Sequence, residues 1–194
     1  MSMFLRLYLR YRYPKYQRAY RLVFDPDGFH HYPKELRAQI EGTTSAVLVQ
    51  SLAKTLAPYV AAGKESKAKE ITTQIADVTL ALPQILDTTI QMANWDSLRD
   101  KDKKYCIALV AYLVNPIDVI PEGPLGGAGF ADDVIFASIA YNTVIADTSE
   151  KFVSAFWKGE KKIFDSLCSV SASAKETLPE LHNDVSKAFQ RVFA

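Results

Sequence analysis

Four acidic side chains lie close together in the sequence, at Asp118, Glu122, Asp132 and Asp133, between two apolar segments. Carboxylate oxygens are ligands that Mg²⁺, Mn²⁺ and Ca²⁺ take from proteins, so a fold that brought these side chains together could bind a divalent cation. Carboxylates also accept hydrogen bonds from free backbone N–H groups at helix ends and in turns. Because these acids adjoin prolines and glycines, we favour the structural role and keep as the alternative a metal site, in a metal-binding protein or a metal-dependent enzyme.

Other features that could carry chemistry are weak. The glycine-rich stretch at 126–129 lacks the Lys-Ser/Thr of a phosphate loop, and the two acids at its exit would repel phosphate. None of the histidines, His30, His31 and His182, stands at metal-ligand spacing from a suitable glutamate. We therefore assign no catalytic residue and no cofactor other than the divalent cation of the alternative, and expect a protein without enzymatic activity.

The elements that position the acids follow from the prolines. Pro116 cannot continue the apolar helix before it, and Asn115 is biased out of the helical region by the proline. A second apolar run begins at the Asp132–Asp133 pair. The sequence predicts a helix-turn-helix hairpin around residues 98–147, with the aspartates holding its joint and those at the second helix capping its first turn.

This arrangement resembles the DUF1232 (YkvA-like) family over residues of about 100–145. The matching motif positions are Asn115, Pro116, Asp118, Pro121, Pro124, Gly129, Asp132 and Asp133. Two features depart from the family pattern: Glu122 stands where the family usually has Asp, and 126–129 is richer in glycine. The resemblance implies a small helical domain, often in proteins tied to membranes or stress, with no established reaction and no catalytic residues to transfer.

The remaining pattern predicts an all-α protein of about seven helices in one compact bundle. Apolar residues recur at helical spacing, for example Leu181, Val185 and Phe189, and the composition of 48% hydrophobic and 23% charged residues is that of a globular domain. We expect a first helix from Pro33 to Gly63 and a helix end or kink at Pro83. The predicted divisions are an N-terminal arm at 1–28, a helical domain at 29–168, and a linker with a C-terminal amphipathic helix at 169–194.

The N-terminal arm differs in charge from the rest of the chain. Residues 1–24 contain six basic residues and no acid, whereas the remainder holds 17 basic and 22 acidic residues. The basic residues alternate with tyrosines; the candidate contact residues are Arg6, Tyr8, Arg10, Arg12, Lys15, Arg18 and Arg21. This mixture is typical of segments that dock onto an anionic membrane surface or a protein complex, and less typical of nucleic-acid binding. The other interpretation places the tyrosines in the core and the cations against the acidic body.

The sequence also predicts the cellular compartment of the protein. The longest purely apolar run, 106–114, is too short to span a bilayer, and arginines interrupt the first residues where a secretory signal would be apolar. Two cysteines, Cys106 and Cys168, form no disulfide framework, which favours a reducing compartment. We therefore expect a cytoplasmic interaction or regulatory protein that can associate peripherally with a membrane.

Overall fold

The computed structural model describes residues 37–38, 40–113, 119–120 and 126–191. Within these ranges the chain forms eight α-helices and no strand, and the helices pack around one continuous apolar core. The predicted all-α class and compact bundle are confirmed, with one helix more than the approximate number expected. The predicted arm, residues 1–28, lies outside the described residues.

The helices are numbered in chain order. They are α1 Ser45–Leu56, α2 Glu65–Leu80, α3 Leu82–Ala93, α4 Asp100–Leu113, α5 Ala131–Asp147, α6 Glu150–Phe156, α7 Lys161–Thr177 and α8 Pro179–Arg191. A short 3₁₀ turn, Ala57–Tyr59, follows α1, and another, Gly126–Phe130, precedes α5.

Helix α1 begins later than the sequence predicts. The side chain of Thr44 caps it by accepting a hydrogen bond from the backbone N–H of Val47 at 3.4 Å. Just before this cap, Gly42 adopts a φ of 83°, which a helix cannot contain. A single helix through to Gly63 is therefore wrong at its N-terminal part, and Pro33 itself lies outside the described residues.

Proline 83 separates two helices, as predicted. Helix α2 ends at Leu80, and α3 starts at Leu82 with Pro83 in its first turn, where no intrahelical donor is required. The two helices present buried Ile71, Ile75 and Ile85 to the same core. The proline thus ends one helix and starts the next.

Helices α4 and α5 form the predicted central hairpin. Residues 106–113 of α4 and 131–138 of α5 are buried without interruption, so these halves of the two helices are covered on all sides rather than along one stripe. Helix α5 packs against α2, α4, α6, α7 and α8. The hairpin is therefore the centre of the bundle, and the other helices enclose it.

The serine-rich stretch 169–174 is not a linker. These residues form part of α7, and the helix keeps a buried stripe through them, with Leu167, Val170 and Ala174 facing the core. The backbone N–H of Ser171 donates to the Ser138 hydroxyl on α5 at 2.9 Å. Packing against α5 thus overrides the weak helix preference of serine.

Helix α8 is the predicted C-terminal amphipathic helix. Leu181, Val185 and Phe189 are its buried residues and lie four positions apart. The ring of Phe189 meets the ring of Phe136 on α5 edge-on, with 5.3 Å between centroids. The last helix therefore closes the bundle directly over the second helix of the hairpin.

Candidate functional site

The predicted site residues belong to the joint of the hairpin, the connection between α4 and α5. Helix α4 ends at Leu113, and α5 begins at Ala131 after the 3₁₀ turn. Of the predicted motif residues, Gly129, Asp132 and Asp133 are described and buried. The others, Asn115, Pro116, Asp118, Pro121, Glu122 and Pro124, lie outside the described residues.

Asp132 connects three segments through one oxygen atom. Its Oδ2 accepts a hydrogen bond from the hydroxyl of Tyr112 at 2.7 Å. It also accepts from the backbone N–H groups of Val119 at 2.9 Å and Ile120 at 3.3 Å. Tyr112 lies in the last turn of α4, and the two N–H groups belong to the connecting loop. The carboxyl group of Asp132 therefore ties the end of α4 and the loop to the first turn of α5.

Neither Asp132 nor Asp133 occupies the N-cap position of α5. The N-cap residue is Phe130, whose side chain makes no capping hydrogen bond. Asp132 stands inside the first turn, two residues beyond the N-cap position, and its Oδ2 is used by donors from α4 and the loop. Both Asp132 and Asp133 still lie at the positive end of the helix dipole, which favours a carboxylate there.

Burial sets the protonation behaviour of Asp132. The side chain is fully buried, and this loss of hydration raises the pKa of its carboxyl group above the ordinary value. The hydrogen bonds from Tyr112 and from the backbone of Ile120 and Val119 act in the opposite direction but do not overcome the burial. The carboxyl group is thus held in a site that penalises its charge while supplying donors to it.

An aromatic stack orients Tyr112. Its ring lies almost parallel to that of Phe136, one turn after Asp132 on α5, with 4.0 Å between centroids and 15° between planes. Phe136 is fully buried. The stack fixes the tyrosine ring, so that its hydroxyl is presented to Asp132 without a further ordering cost. The sequence gives no sign that Tyr112 is a donor to Asp132, because only the fold brings residues 112 and 132 together.

The opposite end of the hairpin has a second acidic clamp that the sequence did not reveal. Asp102, fully buried in the first turn of α4, accepts from Arg99 Nε at 2.7 Å and from its terminal nitrogen at 3.3 Å. The same guanidinium donates to the backbone carbonyl of Asp147 at the end of α5, at 2.6 Å. Lys101 pairs with the Asp147 carboxylate at 2.6 Å, and this ammonium holds the pKa of that carboxyl below its usual range. The only sequence signal was an Arg and an Asp three residues apart at a helix start.

The two described candidate metal ligands do not form a complete site by themselves. Within the described ranges no group of three or more His, Cys, Asp or Glu side chains could hold a metal ion. Oδ2 of Asp132 is occupied by three donors, whereas Oδ1 is buried and has no hydrogen-bond partner among the described residues. A cation at this joint would therefore bind Asp132 through Oδ1 alone and would need ligands beyond the described pair.

The described residues form an all-α protein built around a buried helical hairpin. Residues 102–139 match the model of a family described as "Protein of unknown function (DUF1232)", which confirms the resemblance predicted from the motif. The matched segment contains both Asp102 and the Tyr112–Asp132–Phe136 group.

A curated relative covers more of the chain. The "Uncharacterized protein ORF9" of Methanothermobacter thermautotrophicus is 29% identical over 86 residues. The alignment includes 44% of this chain and 59% of the relative's length, so the chain spans a little over half of that protein. No solved structure matches this chain.

Proposed function

We propose that this chain is a non-catalytic interaction protein whose helical body carries a basic N-terminal arm, residues 1–28, that docks onto an anionic surface. The surface is that of a membrane or of an acidic protein complex. The burial of the hairpin carries the proposal: residues 106–113 and 128–138 are buried, so this part of the family segment offers no face to a partner. The segment then serves as a scaffold, and contact with partners falls to other parts of the chain.

Charge favours the arm as the contact region. The first 24 residues carry six cations and no acid, and the remaining residues carry five more acids than bases. An anionic surface attracts the first segment and repels the rest. Arginines interspersed with tyrosines suit the headgroup level of a bilayer, where a ring lies at the apolar boundary and a guanidinium pairs with phosphate. None of the helices in the described part is long and apolar enough to cross a membrane.

Vesicle binding tests the proposal. The full chain and the variant Arg6→Gln/Arg10→Gln/Arg12→Gln are pelleted with phosphatidylcholine vesicles with and without phosphatidylserine. At about 1 kcal/mol per cation near an anionic surface, the three substitutions should weaken binding roughly 100-fold. Binding of the unmodified chain should also fall as salt is added, because the attraction is screened.

A matched control removes three exposed cations from the helical body instead. The variant Lys54→Gln/Lys151→Gln/Lys158→Gln changes the net charge by the same amount, at side chains that lie on the surface of α1, on α6 and just after α6. It should bind anionic vesicles within about threefold of the unmodified chain, because the body is not the contact region. Equal losses in the two variants would contradict docking by the arm. Tight binding to single-stranded RNA with a steep salt dependence, and none to vesicles, would assign the arm to nucleic acid.

A second candidate function is divalent-cation binding at the hairpin joint. It is favoured by the buried Oδ1 of Asp132, which has no hydrogen-bond partner among the described residues, and by the neighbouring Asp133 carboxylate at the start of α5. The remaining predicted ligands, Asp118 and Glu122, lie outside the described residues. Oxygen ligands of this kind suit Mg²⁺, Mn²⁺ or Ca²⁺.

Thermal unfolding separates the two functions. A cation that binds only the folded chain raises the midpoint, by a free energy that grows with the ratio of metal concentration to Kd. The docking proposal predicts no shift with millimolar Mg²⁺, Mn²⁺ or Ca²⁺. A rise of several degrees that disappears in Asp132→Asn would establish the metal function, and a rise that persists in this variant would place the cation elsewhere.

A further inference from the structure

We draw no further inference here: the strongest candidate, the half-exposed Trp95 that packs edge-on against Phe156 of α6 at the surface of the bundle, has nothing in the structure to show what covers it.

Discussion

Replacing Asp132 with alanine should lower the free energy of unfolding by about 3 kcal/mol. The substitution removes the acceptor of three hydrogen bonds at once. Val119 is half-buried and its N–H can find water, but Ile120 and the Tyr112 hydroxyl are buried and would lose this acceptor. Taking the acceptor from a buried donor costs about 1–3 kcal/mol, so two such losses account for the expected value. Urea unfolding followed by circular dichroism measures it.

Two further variants isolate the cause of that loss. Asp132→Asn keeps an oxygen at the acceptor position and removes a charge that burial penalises, so it should cost less than half as much as alanine. Asp184→Ala removes an exposed aspartate on α8 that pairs only at the surface with Lys187, and should change stability by less than about 0.5 kcal/mol. An alanine variant at 132 as stable as the one at 184 would show that the joint is not held by this carboxyl group.

Replacing Phe136 with alanine should cost about 4 kcal/mol, the range found for removing a fully buried phenylalanine. The variant leaves a cavity at the centre of the bundle and also removes the ring that stacks on Tyr112 and meets Phe189. Because small domains have about 5–15 kcal/mol of stability in total, the loss is a large share of it. The midpoint of urea unfolding should fall accordingly, with an unchanged slope if the unfolded state is unaffected.

Phe136→Leu is the matched control for the cavity. Leucine fills most of the volume without an aromatic face, and such a substitution usually costs under about 1.5 kcal/mol. If alanine and leucine at position 136 had the same small effect, the ring would not be a central packing element. The burial of α5 on all sides would then be in doubt.

Much of the hairpin could be predicted from the sequence because its signals are local. Residue types predict a helix end before Pro116 and a helix start at the Asp132–Asp133 pair, and the described helices end at Leu113 and begin at Ala131. The Pro83 boundary and the apolar stripe of α8 were predictable for the same reason. Each of these signals acts within a few residues of its own position.

What the sequence did not show depends on contacts between distant residues. The partner of Tyr112 lies 20 positions away, and Arg99 reaches the Asp147 carbonyl 48 positions away. Neither pair has a fixed spacing that a pattern can identify. The acids at the start of α4 look like a solvated helix end in the sequence, yet Asp102 is buried because Arg99 supplies its counter-charge.

The error at 169–174 has a different physical origin. Serines weakly favour turns because their hydroxyls compete for backbone groups, and six small residues in a row suggested a linker. In α7 these hydroxyls find local partners instead, as when Ser169 donates to the Ser166 carbonyl at 2.9 Å. Buried Val170 and Ala174 then continue the stripe begun by Leu167, and tertiary packing decides the conformation.

The carboxyl group of Asp132 holds the hairpin joint through Tyr112, and a double-mutant cycle tests this role most directly. Tyr112→Phe keeps the ring that stacks on Phe136 and removes only the hydroxyl, while Asp132→Ala removes the acceptor. The free energies of unfolding of the two single variants and the double variant are measured in urea. We predict a coupling energy of about 1.5–3 kcal/mol, the size of a hydrogen bond to a charged group. Additivity within about 0.3 kcal/mol would contradict the account.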